Sequence, residues 1–151
     1  MLTALNVGNN LLQRAFSENV DITPMKLQKL LYLVYKRYYK ITRRPLFGER
    51  FEVWKYGPVV RSVYDEFKYK GANRIDVFAA EADGSVLVGN EKVSPHFREA
   101  LDFVWERYRD VDGIRLSEMT HMEGTAWYKA AKRGDPFLTD EEIAQEGEFI
   151  E

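Results

Sequence analysis

The sequence predicts a mainly α (α+β) fold: a compact, single-layered helical bundle of about six helices, with one small β-hairpin and a short extended segment. Three observations lead there. Apolar residues recur at helical spacing in several segments. Those segments start on Ser, Thr or Pro and stop at Gly or ahead of Pro. A single Asp-Gly between β-like runs is the hairpin signal, and the alternating strand–helix pattern of a parallel sheet is missing.

Thr3 is placed to cap a first helix reaching residue 18, with Ala4, Val7, Leu11 and Ala15 on one stripe and Leu5, Leu12 and Phe16 beside it. The second helix has the strongest boundary signals. Thr23 is an N-cap residue, Pro24 suits the first helical position, and Ile22 with Leu27 is spaced as a hydrophobic staple. Leu27, Leu30, Leu31, Val34 and Tyr38 follow at helical spacing, and the helix is expected to stop near Thr42, ahead of Arg43-Arg44-Pro45. Residues 51–55 read as a short extended piece. Gly57-Pro58 is expected to open a third helix through Val60, Val63, Tyr64 and Phe67, ended by Gly71. Residues 74–79 and 85–88 are β-like and flank Asp83-Gly84, which puts the hairpin there with an exposed turn. Ser94-Pro95 opens a fourth helix with the stripe Phe97, Leu101, Val104, Trp105 and Tyr108. Short helices are expected over residues 116–122, closed by Gly124, and from Ala126 to just before Gly134. Thr139-Asp140-Glu141-Glu142 is a capping box for a last one.

Composition narrows the function classes. The 151 residues suit one domain, and 45% apolar content argues against disorder. Three Trp, nine Tyr and nine Phe can serve a core or an interface equally well. A net charge of −2 disfavours general nucleic-acid binding, which is usually the work of basic domains. The absence of cysteine excludes disulfides, thiolate zinc sites and a cysteine nucleophile. No apolar run is long enough to span a bilayer, and Met1-Leu2-Thr3-Ala4 lacks a leader's basic start, so a cytoplasmic protein without membrane contact is expected.

Candidate chemistry is sparse. Gly8-Asn9-Asn10 sits inside a helical stripe, without the lysine and preceding strand of a phosphate loop. His96 and His121 are far apart, and no H-E-x-x-H is present. Ser117 and His121 can be written into a hydrolase triad, but they fall one helical turn apart with no nucleophile elbow. Ser117 is expected to cap a helix and His121 to bond free carbonyls at a helix end. No enzymatic activity, cofactor or metal is expected.

By angle, the second helix has an apolar face (Leu27, Leu31, Val34, Tyr38), an aromatic and polar face (Gln28, Tyr32, Tyr35, Tyr39) and a basic face (Lys26, Lys29, Lys36, Arg37, Lys40). The basic face is either solvated surface or a docking stripe for an acidic protein or RNA. Tyr32, Tyr35 and Tyr39, with Lys36 and Lys40 alongside, are the candidate partner-binding residues. Residues 51–60 are apolar on both strand faces, so packing is the expected role of that stretch.

Three stretches carry a family resemblance. Thr23-Pro24-Met25-Lys26-Leu27-Gln28-Lys29-Leu30-Leu31-Tyr32 resembles the opening of the Panacea domain, the SocA-like antitoxin family, and Arg44-Pro45-Leu46-Phe47 resembles its next element. Trp54-Lys55-Tyr56-Gly57-Pro58-Val59-Val60, followed by Val63-Tyr64 and Phe67, resembles its W-x-Y-G-P-V signature. Leu116-Ser117, Thr120-His121 and Trp127 resemble a late element, in which many relatives have proline where Ala126 stands here. Together these matches run over residues 4–130. The resemblance implies one Panacea-like domain over residues 1–151, in a bacterial or phage-encoded antitoxin that neutralises a protein toxin encoded nearby by direct contact. Some relatives are adaptors that deliver a toxin to a protease, others are described only as phage-associated, and several carry an extra helix-turn-helix domain, for which this chain is expected to have no room. Lys26, Leu27, Gln28, Lys29, Leu30, Tyr32, Trp54, Tyr56, Gly57, Pro58, Val59, Ser117, His121 and Trp127 are the motif residues, with structural roles expected. The alternatives are a nucleic-acid-binding regulator that uses the basic stripe and a hydrolase built around His121.

Overall fold

The computed structural model describes residues 2–150. Among them are seven α-helices: α1 (Ala4–Glu18), α2 (Pro24–Thr42), α3 (Arg61–Phe67), α4 (Pro95–Tyr108), α5 (Gly113–His121), α6 (Ala126–Arg133) and α7 (Asp140–Gln145). Strands β1 (Glu52–Trp54) and β2 (Gly57–Val59) form one antiparallel hairpin, pairing Glu52 with Val59, Val53 with Pro58 and Trp54 with Gly57. The mainly helical class follows the sequence expectation, and none of the helices is long and apolar enough to cross a membrane.

Short polar side chains set the helix starts. Thr3, Thr23, Asp112, Thr125 and Thr139 each accept a backbone N–H of the first turn, which satisfies donors a helix cannot satisfy itself. Helix α2 runs through the middle of the molecule. Helices α4 and α5 pack on it most extensively, and α1, α3, α7 and β2 also lie against it. Every residue from 26 to 36 is buried as a result, so the three-faced reading of this helix is corrected: all three faces are covered.

The hairpin lies elsewhere than expected. Gly57-Pro58 does not open α3; it forms β2, and the helix starts only at Arg61. Gly57 has φ +116°, which a helix excludes and which lets the chain reverse after Lys55-Tyr56. Residues 74–79 and 85–88 form no strands. The turn at Asp83-Gly84 exists and is exposed: the Glu81 N–H donates to the Ser85 carbonyl at 2.7 Å and Asp83 accepts from Ser85. The arms on either side pair with asparagines of α1 instead of with each other. Asn9 accepts from the Ala79 N–H (2.8 Å) and donates to the Ala79 and Leu87 carbonyls (3.0 Å each). Asn10 accepts from the Gly89 N–H (2.7 Å) and donates to the Gly89 carbonyl (2.9 Å). Each amide thus imitates a strand neighbour. Gly89 is required for the approach, because a Cβ there would lie 2.6 Å from Phe97 and 2.9 Å from the Asn10 amide oxygen.

Asn9→Ala is therefore expected to lower stability by about 1–3 kcal/mol, since it strands a buried N–H and carbonyl. Hydrogen exchange at Ala79 should accelerate with it; a variant that keeps both its melting temperature and that protection contradicts the pairing.

Candidate partner-binding site

The motif residues converge on the hairpin. The Trp127 indole N–H donates to the Trp54 carbonyl at 2.8 Å. The Ser117 hydroxyl donates to the Tyr56 carbonyl. The Lys29 ammonium donates to the Pro58 carbonyl at 2.9 Å. Gln28 takes both backbone groups of Val60, donating to its carbonyl at 3.1 Å and accepting from its N–H at 3.0 Å. Carbonyls of alternate residues, 54, 56, 58 and 60, are thus each held by a side chain from α2, α5 or α6. A two-stranded hairpin alone is marginal in water; these clamps fix this one. Gly57 is needed a second time here, because a Cβ would sit 3.1 Å from the Thr120 hydroxyl and 3.2 Å from the Lys29 ammonium.

Ser117 therefore lies inside α5 and does not cap it. His121 ends α5, but its Nδ1 is buried without a partner and its ring meets Trp127 edge-on at 5.2 Å; the expected bond to free carbonyls is not made. With the serine hydroxyl committed to a backbone carbonyl, the pair is not arranged as nucleophile and base. Among the described residues, no group of three His, Asp or Glu side chains is placed to hold a metal. Leu27 and Leu30 are core, and the Lys26 ammonium donates to the Arg109 carbonyl, with burial lowering its pKa.

A cavity of about 440 Å³ opens between the N-terminal half of α2, the hairpin and α3. Met25, Trp54, Val59, Val63 and Tyr64 wall it, Gln28 and Lys29 lie at its base, and Lys55 and Lys68 stand at its rim. Trp54 is half-buried, and its ring meets Tyr64 edge-on at 4.7 Å. Tyr56 at the hairpin tip is 55% exposed and Tyr64 is 40% exposed. Lys29 is 2% exposed, and desolvation brings its pKa down from 10.5 to about 7.

The face expected to bind a partner is covered. Tyr32, Tyr35 and Lys36 are buried, and Tyr39 and Lys40 are half-buried, beneath α7 and residues 146–150. The Tyr32 hydroxyl donates to Glu146 and the Tyr35 hydroxyl to Asp140, each at 2.7 Å. Burial first, then these carboxylates, push both phenols up. Lys36 donates to Glu146 (3.2 Å) and to the Gly147 carbonyl (2.9 Å), while Lys40 donates to the Glu146 carbonyl. Tyr39 stacks on Tyr35 with ring centroids 6.5 Å apart. The basic face is spent in the same way, since Arg37 pairs with Glu99 at 2.7 Å. The stripe that RNA or an acidic surface would need is consumed inside the chain.

The sequence reading also missed Asn9, Asn10 and Glu146. Two adjacent amides within an apolar helical stripe were the available signal for the first pair. For Glu146 there was none, because its partners are over a hundred residues earlier in the chain for Tyr32 and Lys36.

The family model described as "Antitoxin SocA-like, Panacea domain" matches residues 27–128. That span contains every clamp residue and ends before α7. The chain is 30% identical over 124 residues to a protein of Caulobacter vibrioides (strain NA1000 / CB15N) named antitoxin SocA, a match that covers 80% of this chain and 66% of that protein. This chain therefore spans just under two thirds of the relative's length. No solved structure matches it. The motifs that build the hairpin clamp and the extent of these two matches lead to one assignment: the chain belongs to the antitoxin SocA-like, Panacea-domain family.

Proposed function

We propose that this chain is the antitoxin of a toxin–antitoxin pair and acts by binding a co-encoded protein toxin directly, through the face that surrounds the cavity. Family membership supports the antitoxin role. The observation that carries the choice of face is the pair of exposed aromatics beside an apolar cavity, Tyr56 on the clamped hairpin and Tyr64 on α3. Tyrosines with one side packed and one side wet are typical interface anchors. A surface already held in place spends less free energy on ordering when a partner arrives. The tyrosines of α2 have no comparable access. Direct binding is also the first step whether the toxin is then blocked or handed to a protease.

The test is co-expression with the adjacent gene's product, followed by binding kinetics on the purified pair. Tyr56→Ala with Tyr64→Ala should weaken binding by ~2 kcal/mol or more and release growth inhibition. Tyr35→Ala should lower the melting temperature yet leave the affinity of the folded chain unchanged. Full neutralisation by the Tyr56/Tyr64 double variant would move the site elsewhere.

A further inference from the structure

Lys29 is an unusual buried cation. Its hydrogen bond within the chain goes to the Pro58 carbonyl, and no carboxylate contributes to its pKa; desolvation is the cause of the shift. Of the other buried lysines, Lys36 has Glu146 for a counter-ion, and Lys26, bonded to the Arg109 carbonyl, feels Asp110, Asp112 and Asp21. An ammonium carries three donors, and a buried charge without a counter-charge is costly. Gln28, its neighbour on α2, cannot help: both ends of its amide are occupied by Val60.

The surroundings repeat the imbalance. The cavity that Lys29 lines has two further lysines, Lys55 and Lys68, and no Asp or Glu among its lining residues, although acidic residues outnumber basic ones 24 to 22 in the chain; Lys68 reaches Asp65, outside the lining, at 3.5 Å in an exposed pair. Its remaining wall is largely apolar and aromatic. The volume, about 440 Å³, is that of a small-molecule pocket. A small inorganic anion would leave the apolar wall unused, and a neutral hydrocarbon would leave the ammonium unpaired. One ligand chemistry uses both.

We propose that this cavity is a binding site for an organic carboxylate with an apolar body, with Lys29 as its counter-ion. The body packs against Trp54, Val63 and Tyr64, and the carboxylate takes the free donors of Lys29, with Lys55 and Lys68 drawing it in from the rim. Such a group can be a free small acid or a carboxylate that a bound protein presents beside an aliphatic or aromatic side chain. The site is a property of the free chain and does not depend on the toxin docking at this face.

The probe is 4-phenylbutyrate against its neutral isostere 4-phenylbutanamide, titrated into the isotope-labelled full chain and followed at the Trp54 indole and the Val59 and Val63 methyls. The carboxylate should bind at least about tenfold more tightly than the amide, the factor that a charge-assisted hydrogen bond supplies. Lys29→Met should erase that preference, while Lys68→Met should reduce it only slightly. Equal affinities for acid and amide in the wild-type chain, or no movement of these signals with either probe, overturn the proposal without recourse to any variant. The same titration on toxin-saturated chain separates the sources. Exclusion of the probe assigns the carboxylate to the partner, and continued binding assigns it to a free acid; both support the site. If Tyr56 and Tyr64 prove irrelevant to the toxin, the wild-type titration still decides this question.

Discussion

Glu146→Ala is expected to lower the unfolding free energy by ~3–5 kcal/mol, the cost of removing one member of a buried ion pair. Glu146 is 6% exposed and holds three groups on two elements, α2 and α6. One carboxylate oxygen accepts from the Tyr32 hydroxyl and from the Ala126 N–H at the start of α6, both at 2.7 Å. The other faces Lys36 at 3.2 Å. Removing the carboxylate leaves a buried ammonium with only the Gly147 carbonyl and the Phe149 ring, 4.0 Å from its centroid, and strands a phenol and an amide as well. Each stranded group adds its own desolvation penalty. Glu146→Gln keeps the shape and one acceptor oxygen, enough for Tyr32 and Ala126, but loses the charge and the second acceptor facing Lys36, so it should cost less than alanine. Urea unfolding of the three proteins measures the series; an alanine variant with the wild-type midpoint would refute the view that residues 140–150 are locked onto α2.

This contact also explains why a sequence reading took a face covered within the chain for an exposed one. Helical-wheel reasoning assumes one face to water. Helix α2 instead crosses the interior, and its lysines and tyrosines are satisfied by groups remote in sequence: Glu146, Asp140, and the carbonyls of Pro58 and Arg109. Periodicity cannot distinguish a wet polar stripe from a dry one with partners. Local signals were read correctly where the physics is local. Thr3, Thr23 and Thr139 cap the helices they were expected to cap, and α4 buries the stripe Phe97, Leu101, Val104, Trp105 and Tyr108. The hairpin went astray because Asp83-Gly84 is a good turn whose arms are taken by Asn9 and Asn10, while Gly57-Pro58 imitates a helix start. The clamp residues were legible as family motifs; that they share one hairpin was not, because α2, α5 and α6 meet only in the fold.

Lys29→Met is expected to stabilise the chain near neutral pH and to flatten its stability–pH curve. In the unfolded chain this amine titrates at its ordinary 10.5; in the folded chain desolvation brings it to about 7. Between those values the unfolded chain holds the proton and the folded chain does not, so stability rises with pH across the window. Below about 7 both states are charged and the whole cost of burying the ammonium remains. The slope in between can reach ~1.4 kcal/mol per pH unit. Lys26 and Lys36 are also lowered, chiefly by desolvation, and tilt the curve the same way, so the difference between wild type and variant isolates Lys29. Tyr32, Tyr35 and Tyr108 are raised; above about pH 10 the unfolded chain ionises first at these positions and stability falls, which confines the comparison to roughly pH 6–9. Methionine fills the lysine stem's space but gives up the bond to Pro58, at a cost of ~1 kcal/mol. The variant should therefore gain ~1–4 kcal/mol at the acidic end, where it removes a buried uncompensated charge. By about pH 9, partway through the window between about 7 and 10.5, the gain should have shrunk markedly, and it vanishes only as the pH approaches 10.5. Denaturant midpoints at several pH values check this. Parallel curves for the two proteins would mean that Lys29 keeps its proton through a counter-charge in the folded chain, contrary to the burial described here. A variant that is more stable and yet indifferent to carboxylates would identify the unpaired lysine as a position where stability is given up for binding.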